Sequence, residues 1–315
     1  MKILITGGSG FIGTNLIDLY IAKGYTIVNV DTQNPKCEHH NSFWHNIDIR
    51  NESQLNNLFI EFSPDYVIHL AADTGLTGNS LNDYDTNLLG LENLIQVSKE
   101  TPSIKKIVFA STMLVCKAGH IPKSDTDYSP NTLYGESKMK GEMLVRSSNL
   151  KCDWAIIRPT SIWGPYFGRT YREFFEMIIA KKYFNFTGKV STKTYGYIGN
   201  VVYQIDEILK NELSNNKTLY VGDYLPTRID HWADEIAKIL GTKVYKIPWF
   251  LVFMAAKFGD FLSLFKMRFP INSFRLANMT TDNVLDLSAT ALIAPEVKFS
   301  RIEGTKVTLD WMKSR

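Results

Sequence analysis

Apolar and polar positions along the first half of the chain alternate between two textures. Short apolar, β-branched runs stand at Lys2–Thr6, Thr26–Val30, Phe43–Ile47, Asp65–Leu70, Lys105–Ser111 and Trp154–Arg158. Helix-length amphipathic stretches separate several of them, at Phe11–Ala22, about Asp83–Lys99 and Leu133–Ser148. Strands that alternate with helices predict βαβ units and a parallel sheet. Right-handed crossovers then make the sheet doubly wound, an α/β fold. After Pro159 the texture changes. Residues 164–194 are aromatic and basic without regular alternation, and Lys217–Val221 reads as one more strand. Helices are expected at His231–Leu240, Pro248–Phe265 and near Glu303–Met312. The division expected is a sheet domain over 1–163, a segment returning to it near 195–222, and a smaller, mostly C-terminal region over 164–315.

Composition narrows the classes. Hydrophobic residues at 44% and charged residues at 21% of 315 allow a sizeable core and exclude disorder or a coiled coil. The 35 Lys and Arg exceed the 32 Asp and Glu by three, too few and too scattered for a nucleic-acid footprint. Cys37, Cys116 and Cys152 cannot all pair, and their spacing matches neither a zinc site nor a redox motif, so a reducing cytoplasm is the expected setting. The apolar start is cut short by Gly7 and Gly8, unlike a secretory leader. Ile247–Ala256 is uncharged but about half the length that spans a bilayer. It reads as a buried or amphipathic helix, with peripheral membrane contact open and stable insertion excluded.

Candidate chemistry begins at Thr6-Gly7-Gly8-Ser9-Gly10-Phe11-Ile12-Gly13, between the first strand and the first helix. Glycines there permit a tight turn and let backbone N–H groups approach a pyrophosphate at the helix N-terminus. Asp31 ends the second strand 21 residues after Gly10, where a carboxylate can accept from a ribose diol. A carboxylate repels a 2′-phosphate, and no Arg lies within 31–36, so NAD is favoured over NADP. This is a Rossmann-type reading.

Tyr134 and Lys138 stand at i, i+4 at the start of a predicted helix, which puts phenol and ammonium on one face. A nearby cation favours phenolate and would lower the tyrosine pKa. Ser111-Thr112 closes the fifth strand, where ligand crevices open in such sheets, and can offer a hydroxyl to the substrate oxygen.

The stretches TGGSGFIG (6–13), DIR (48–50), HLAA (69–72), TNLLG (86–90), YGESK (134–138) and RPTSIWGP (158–165) follow one another in order. With them the chain resembles an extended short-chain dehydrogenase/reductase of the nucleotide-sugar epimerase/dehydratase family. TKTYGYIGNV (192–201) extends a weaker match. The resemblance implies that Asp48 and Ile49 flank the adenine, and that Leu70, Ala71 and Ala72 line the cofactor with Asn87 close by. It implies Thr112 as the active-site hydroxyl, Tyr134 as general acid/base and Lys138 as its electrostatic partner. Pro159 to Ile162 would lie against the nicotinamide, and Lys193 would reach the substrate diphosphate, where relatives carry arginine. Asn200 stands where an aspartate is usual. A homodimer through helices near 83–99 and 133–148 is the family expectation.

Departures from the family pattern bear on the reaction. Thr112 is followed by Met113-Leu114, whereas 4,6-dehydratases carry an Asp–Glu pair that moves protons for water loss. Ordinary 4,6-dehydration by that mechanism is therefore not expected. Cys116-Lys117 replaces a Tyr-Gly pair, and Cys116 is read as a small buried hydrophobe, with a catalytic thiol as the alternative. Cys37-Glu38-His39-His40 groups potential metal ligands, but no second cluster accompanies it, so it is read as a solvated turn and no metal site is assigned. His69 is read as packed. Tyr183, Phe184, Phe186, Tyr195 and Tyr197 are read as core, and Lys189, Arg228 and Arg275 as lesser candidates for a diphosphate.

The leading reading is an NAD-dependent epimerase of a nucleotide-linked sugar, working by transient oxidation and re-reduction. A keto-sugar reductase or dehydrogenase is the alternative. A 3β-hydroxysteroid-dehydrogenase-like enzyme and a non-catalytic NAD sensor stand further off.

Overall fold

The computed structural model describes residues 1–315 except 189, 265, 266, 268–271 and 315, and except the side chains of 170, 264, 274, 275 and 278. The first half runs β1 (Lys2–Thr6), α1 (Phe11–Ala22), β2 (Thr26–Val30), β3 (Trp44–His45), α2 (Glu52–Phe62), β4 (Tyr66–His69), α3 (Asp85–Lys99), β5 (Lys106–Ala110), α4 (Leu133–Ser147) and β6 (Asp153–Pro159). The six strands are parallel to their neighbours.

The second half runs β7 (Ser161–Trp163), α5 (Arg169–Ile179), β8 (Phe184–Thr187), β9 (Thr192–Lys193), β10 (Tyr195–Tyr197), α6 (Ile198–Lys210), β11 (Lys217–Val221), β12 (Thr227–Arg228), α7 (Ile229–Ile239), β13 (Tyr245–Pro248), α8 (Trp249–Leu264), α9 (Ser273–Thr280), α10 (Ser288–Ile293) and α11 (Arg301–Lys313). β11 returns to pair in parallel with β6, from Lys217 opposite Ala155 to Val221 opposite Pro159. The main sheet thus has seven strands in the order β11-β6-β5-β4-β1-β2-β3. Strand order reverses between β1 and β4, and a crevice opens there beyond the strand ends.

Alternate strand residues feed two cores, as the period of two requires. Ile3 and Ile5 of β1 face Leu16, Ile17 and Tyr20 of α1 and Val201, Ile205 and Ile208 of α6. Leu4 faces the other way, toward Leu55, Leu58 and Phe59 of α2 and Leu91, Leu94 and Ile95 of α3. Trp163, Phe175, Tyr195, Tyr197 and Trp232 extend the first core into the second half, with Trp163 and Trp232 ring centroids 4.7 Å apart. Tyr183 packs against this group, while Phe184 and Phe186 join a small satellite core beside α8.

Several elements differ from the pattern reading. β3 keeps two residues of the five expected, because only Asn29 and Val30 offer it a partner. α2 has no counterpart in that reading: its amphipathic signal is confined to Leu55, Leu58 and Phe59 behind a polar start capped by Asn51. α5 lies in the stretch read as irregular. There Phe175 and Ile178 are buried, while Arg169–Glu173 and Arg172–Glu176 ion pairs cover the outside. The helix expected over Pro248–Phe265 begins at Trp249, and Phe265 lies outside the described residues.

Candidate active site

The crevice is a cleft of about 1030 Å³ over the ends of β1, β2, β4, β5 and β6. Its floor is the glycine turn. Gly7 has φ +74°, and a Cβ there would lie 2.5 Å from the Ala71 amide nitrogen, so only glycine lets the turn meet the chain leaving β4. A Cβ on Gly13 would lie 2.5 Å from the Gly7 carbonyl oxygen. Gly10 precedes α1 without any side-chain cap, and the first turn holds no acidic residue. The open N–H groups and the helix dipole therefore face the cleft ready for an anion.

Asp31 projects from the end of β2. Its Oδ2 accepts from the Ser9 amide at 3.0 Å and its Oδ1 from Gln33 at 2.9 Å. Burial raises its pKa, while these backbone hydrogen bonds pull it back. Each oxygen keeps a lone pair for a diol. Asp48 is held by Arg50, with Nη2 to Oδ2 at 2.6 Å, and that partner lowers its pKa. Gly7, Gly10, Phe11, Ile12, Gly13, Asp31, Asp48, Ile49, Leu70, Ala71, Ala72, Thr112, Tyr134, Lys138 and Pro159 all line this one cleft. Residues that chain order brings from widely separated stretches are gathered there. The glycine bed, the uncapped helix and the carboxylate beyond it fit a dinucleotide.

Three expected residues do not line it. Asn87 is buried one layer back, where its amide donates to the Asp73 carbonyl and Ser137 and accepts from the Asp73 amide. It holds the wall at Asp73, which is itself on the cleft. Ile162, on β7, is buried in the first core, whereas Pro159 and Thr160 just before that strand line the cleft. Lys193 sits on β9, opposite Thr227 of β12 and half-buried, and burial lowers its pKa; it also bridges Asn283, whose amide reaches Met113 of the cleft lining.

At the far end Thr112 follows β5 and Tyr134 opens α4, whose N-cap Thr132 accepts from Gly135 at 3.0 Å. Tyr134 is 8% exposed and its ring stands 6.3 Å from that of Tyr84. Burial pushes its pKa up to about 12, while a hydrogen bond with Thr112 acts to lower it. The i, i+4 spacing predicts that Lys138 brings the phenol down. Lys138 is instead desolvated itself, to about 8, with Glu142 acting against that fall. Burial outweighs the ion–phenol attraction here.

Ser111 is taken: its hydroxyl donates to Glu142 at 2.5 Å, and Glu142 is paired with Arg158 in a fully buried cluster. Thr112 is thus the hydroxyl that faces the cleft with Tyr134. Cys116 lies outside the lining, its Sγ donating to the Asp127 carbonyl at 3.4 Å, and burial raises its pKa, which removes thiolate character. His69 packs as expected, bonded to Thr6 at 2.7 Å and lowered to about 3 by burial. Asn200 is structural, tied to Asp223 and to both backbone groups of Phe299. Arg228 pairs with Asp230. Lys189 and the side chain of Arg275 lie outside the described residues. Sequence reasoning missed Gln33, Arg50, Asp73 and Tyr171 on the cleft wall. Tyr171 comes from α5, the helix hidden in the aromatic stretch.

Comparison with known proteins agrees with this arrangement. The family model described as the NAD dependent epimerase/dehydratase family matches residues 3–221. The chain is 26% identical to an Escherichia coli O157:H7 N-acetyl-alpha-D-glucosaminyl-diphospho-ditrans,octacis-undecaprenol 4-epimerase, over 98% of this chain and 95% of that one. It is 30% identical to a UDP-glucuronate 4-epimerase of Thermodesulfobacterium geofontis over 51% and 56% of the two chains. Among solved structures, a UDP-glucose 4-epimerase of Thermotoga maritima superimposes with TM-score 0.78 at 21% identity, covering 100% of this chain and 99% of that one. The match spans the sheet from β1 to β11 and the whole cleft between, and the chain belongs to the NAD-dependent epimerase/dehydratase family as one of its enzymes.

Proposed function

We propose that the chain is an NAD-dependent epimerase of a nucleotide-linked sugar. The reading is carried by one juxtaposition: Thr112 and Tyr134 share a single cleft with the glycine turn and Asp31. Tyr134 accepts the proton of a sugar hydroxyl as its carbon is oxidised, and returns a proton when the keto group is reduced. Thr112 holds the same oxygen. Lys138, buried one helical turn on, is the residue whose positive charge would work against the burial that keeps the phenol protonated. NAD, when bound, supplies reversible hydride acceptance. Net oxidation state is unchanged, so no external reductant is needed. Met113 and Leu114 line the cleft beside Thr112 and carry no ionisable group, so water loss lacks its proton carriers.

The test is incubation of the enzyme with nucleotide hexoses, followed by NMR without added reductant. Interconversion of epimers with tightly held NAD is the expected result. Stoichiometric consumption of NADH would replace the epimerase by a keto-sugar reductase, and a 4-keto-6-deoxy product would overturn the exclusion of dehydration.

A second reading concerns the carrier. α8 exposes Phe250, Leu251, Phe253, Met254, Phe258 and Phe261, while only its Val252–Ala256 side is buried against Leu276. Exposed Lys257 lies over the Phe253 ring on this helix, and exposed Lys243 and Lys246 come shortly before it in the chain. An apolar helix with a basic border suits the surface of an anionic bilayer. A sugar diphosphate carried on a polyprenyl lipid, as in the name of the E. coli relative, would be met there. No helix among the described residues is long and apolar enough to cross a membrane. Sedimentation with anionic vesicles, abolished by Phe250→Asp with Phe253→Asp, supports this reading; no sedimentation returns the substrate to a free nucleotide sugar.

A further inference from the structure

Behind the adenosine end of the cleft, the chain after Asp31 makes a tight 3-10 turn over Glu38–Phe43, bounded by Cys37. The His40 amide donates to the Cys37 carbonyl at 3.0 Å. Side chains three apart in such a turn eclipse, so Cys37 and His40 meet. The Cys37 Sγ and one ring nitrogen of each of His39 and His40 lie within 4.8 Å of one another.

A fourth residue, unrelated in sequence, converges on the group. Asp18 of α1 presents one oxygen, Oδ1, to His39 Nε2 at 2.9 Å and to His40 Nε2 at 2.7 Å. A carboxylate can only accept, so in the neutral rings both Nε2 atoms carry the proton and both Nδ1 atoms keep the lone pair. His40 is buried, and its Nδ1 has no hydrogen-bond partner. The Cys37 Sγ donates to the Tyr166 hydroxyl at 3.2 Å, a bond the thiolate would accept instead, so the buried His40 Nδ1 is the member of the group left without a protein partner. Histidines that ligate metals ordinarily donate their other ring nitrogen to a carboxylate, the relation in which Asp18 stands to both rings.

We propose that Cys37, His39 and His40 bind a divalent cation of borderline softness, Zn²⁺ being the type, with Asp18 as the carboxylate that orients both rings. One sulfur and two imidazole nitrogens suit Zn²⁺ and leave a fourth, tetrahedral position for water. The Cys37 thiol gives its proton to solvent as the metal–sulfur bond forms. Together with the Asp18 carboxylate, the thiolate balances the charge of the cation. The exposed His39 and the half-exposed Asp18 provide the way in. The metal would tie the turn that follows Asp31 to helix α1, and so fix the chain beside the ribose-binding carboxylate.

Sequence proximity shows only three of the four residues. Asp18 arrives from α1.

The experiment is a Co²⁺ titration of the reduced, full-length protein, read by absorption, with Zn²⁺ content measured by mass spectrometry. A thiolate-to-cobalt charge-transfer band saturating at one ion per chain is expected. Cys37→Ser should abolish the band, and His39→Ala should weaken binding by at least 10-fold. Asp18→Asn should keep the band with roughly 10- to 100-fold weaker affinity. Cys152→Ser is the control and should change nothing. Thermal melts accompany each variant, and the exposed His39 keeps one informative variant that folds. No band in the wild-type protein, or a band that survives Cys37→Ser or His39→Ala, overturns the proposal.

Discussion

Tyr134 and Lys138 are each held in a protonation balance set by burial, and the consequences separate. Tyr134→Phe removes only the oxygen, while the ring keeps its place against Tyr84. Turnover should fall by about 100- to 10,000-fold, with a melting curve close to that of the parent. An assay beside an NAD titration checks both, and near-normal turnover would move the chemistry elsewhere. Lys138→Met should do the opposite to stability. The lysine falls from 10.5 in the unfolded chain to about 8 when folded, so below pH 8 both states are charged and folding bears the whole cost. That cost, on the order of 3 kcal/mol, fades between about pH 8 and 10.5 and is gone above. The variant should therefore be more stable than the parent at pH 7, with a gap that closes as pH rises past 10, and should be slow. Denaturant melts at both pH values decide it. Asp31→Ala should narrow the preference for NAD over NADP, measured by titration; a parent that prefers NADP would remove Asp31 from the ribose.

Elements of the first half were legible because strand and helix periods are clean there and the glycine turn has a strand before it and a helix behind. Gly13 shows how local that legibility is. Its missing Cβ lets α1 rest on the turn, and Gly13→Ala would bring a methyl to 2.5 Å from the carbonyl of Gly7 and the Cα of Gly8, both rigid backbone. Loss of dinucleotide binding and a lower melting temperature are expected together, read by calorimetry with and without NAD. Less legible were elements whose inward face is aromatic. Along α5, Tyr171, Phe174, Phe175 and Ile178 follow a helical period, but rings and basic residues obscure it in a count of aliphatics. At the site, the cleft-lining residues up to Pro159 follow from motif order. Asn87, Ile162 and Lys193 did not, since a family position fixes the backbone path and not the face a side chain takes. Nor can any motif show that Ser111 is consumed by Glu142, a contact made only when α4 packs on β5.

For the whole molecule, the family match and the main sheet end together, at residue 221. A chain cut at 163 keeps the glycine turn, Asp31, Thr112, Tyr134 and Lys138, yet leaves β6 without β11 along five residue pairs from Ala155 to Pro159. The fragment should aggregate through that edge, whereas one ending after Asp223 should be far more soluble. Light scattering of the two tests it; a monomeric, NAD-binding 1–163 fragment would contradict it. The same pairing has a meaning in time. On a ribosome the residues proposed to perform the chemistry are all made before position 160, but the last strand of the sheet that supports them is threaded about sixty residues later. Until then the nascent chain carries a complete set of reactive groups on an open edge of apolar backbone. The order of synthesis thus sets a window in which pausing, or a chaperone, decides between an enzyme and an aggregate.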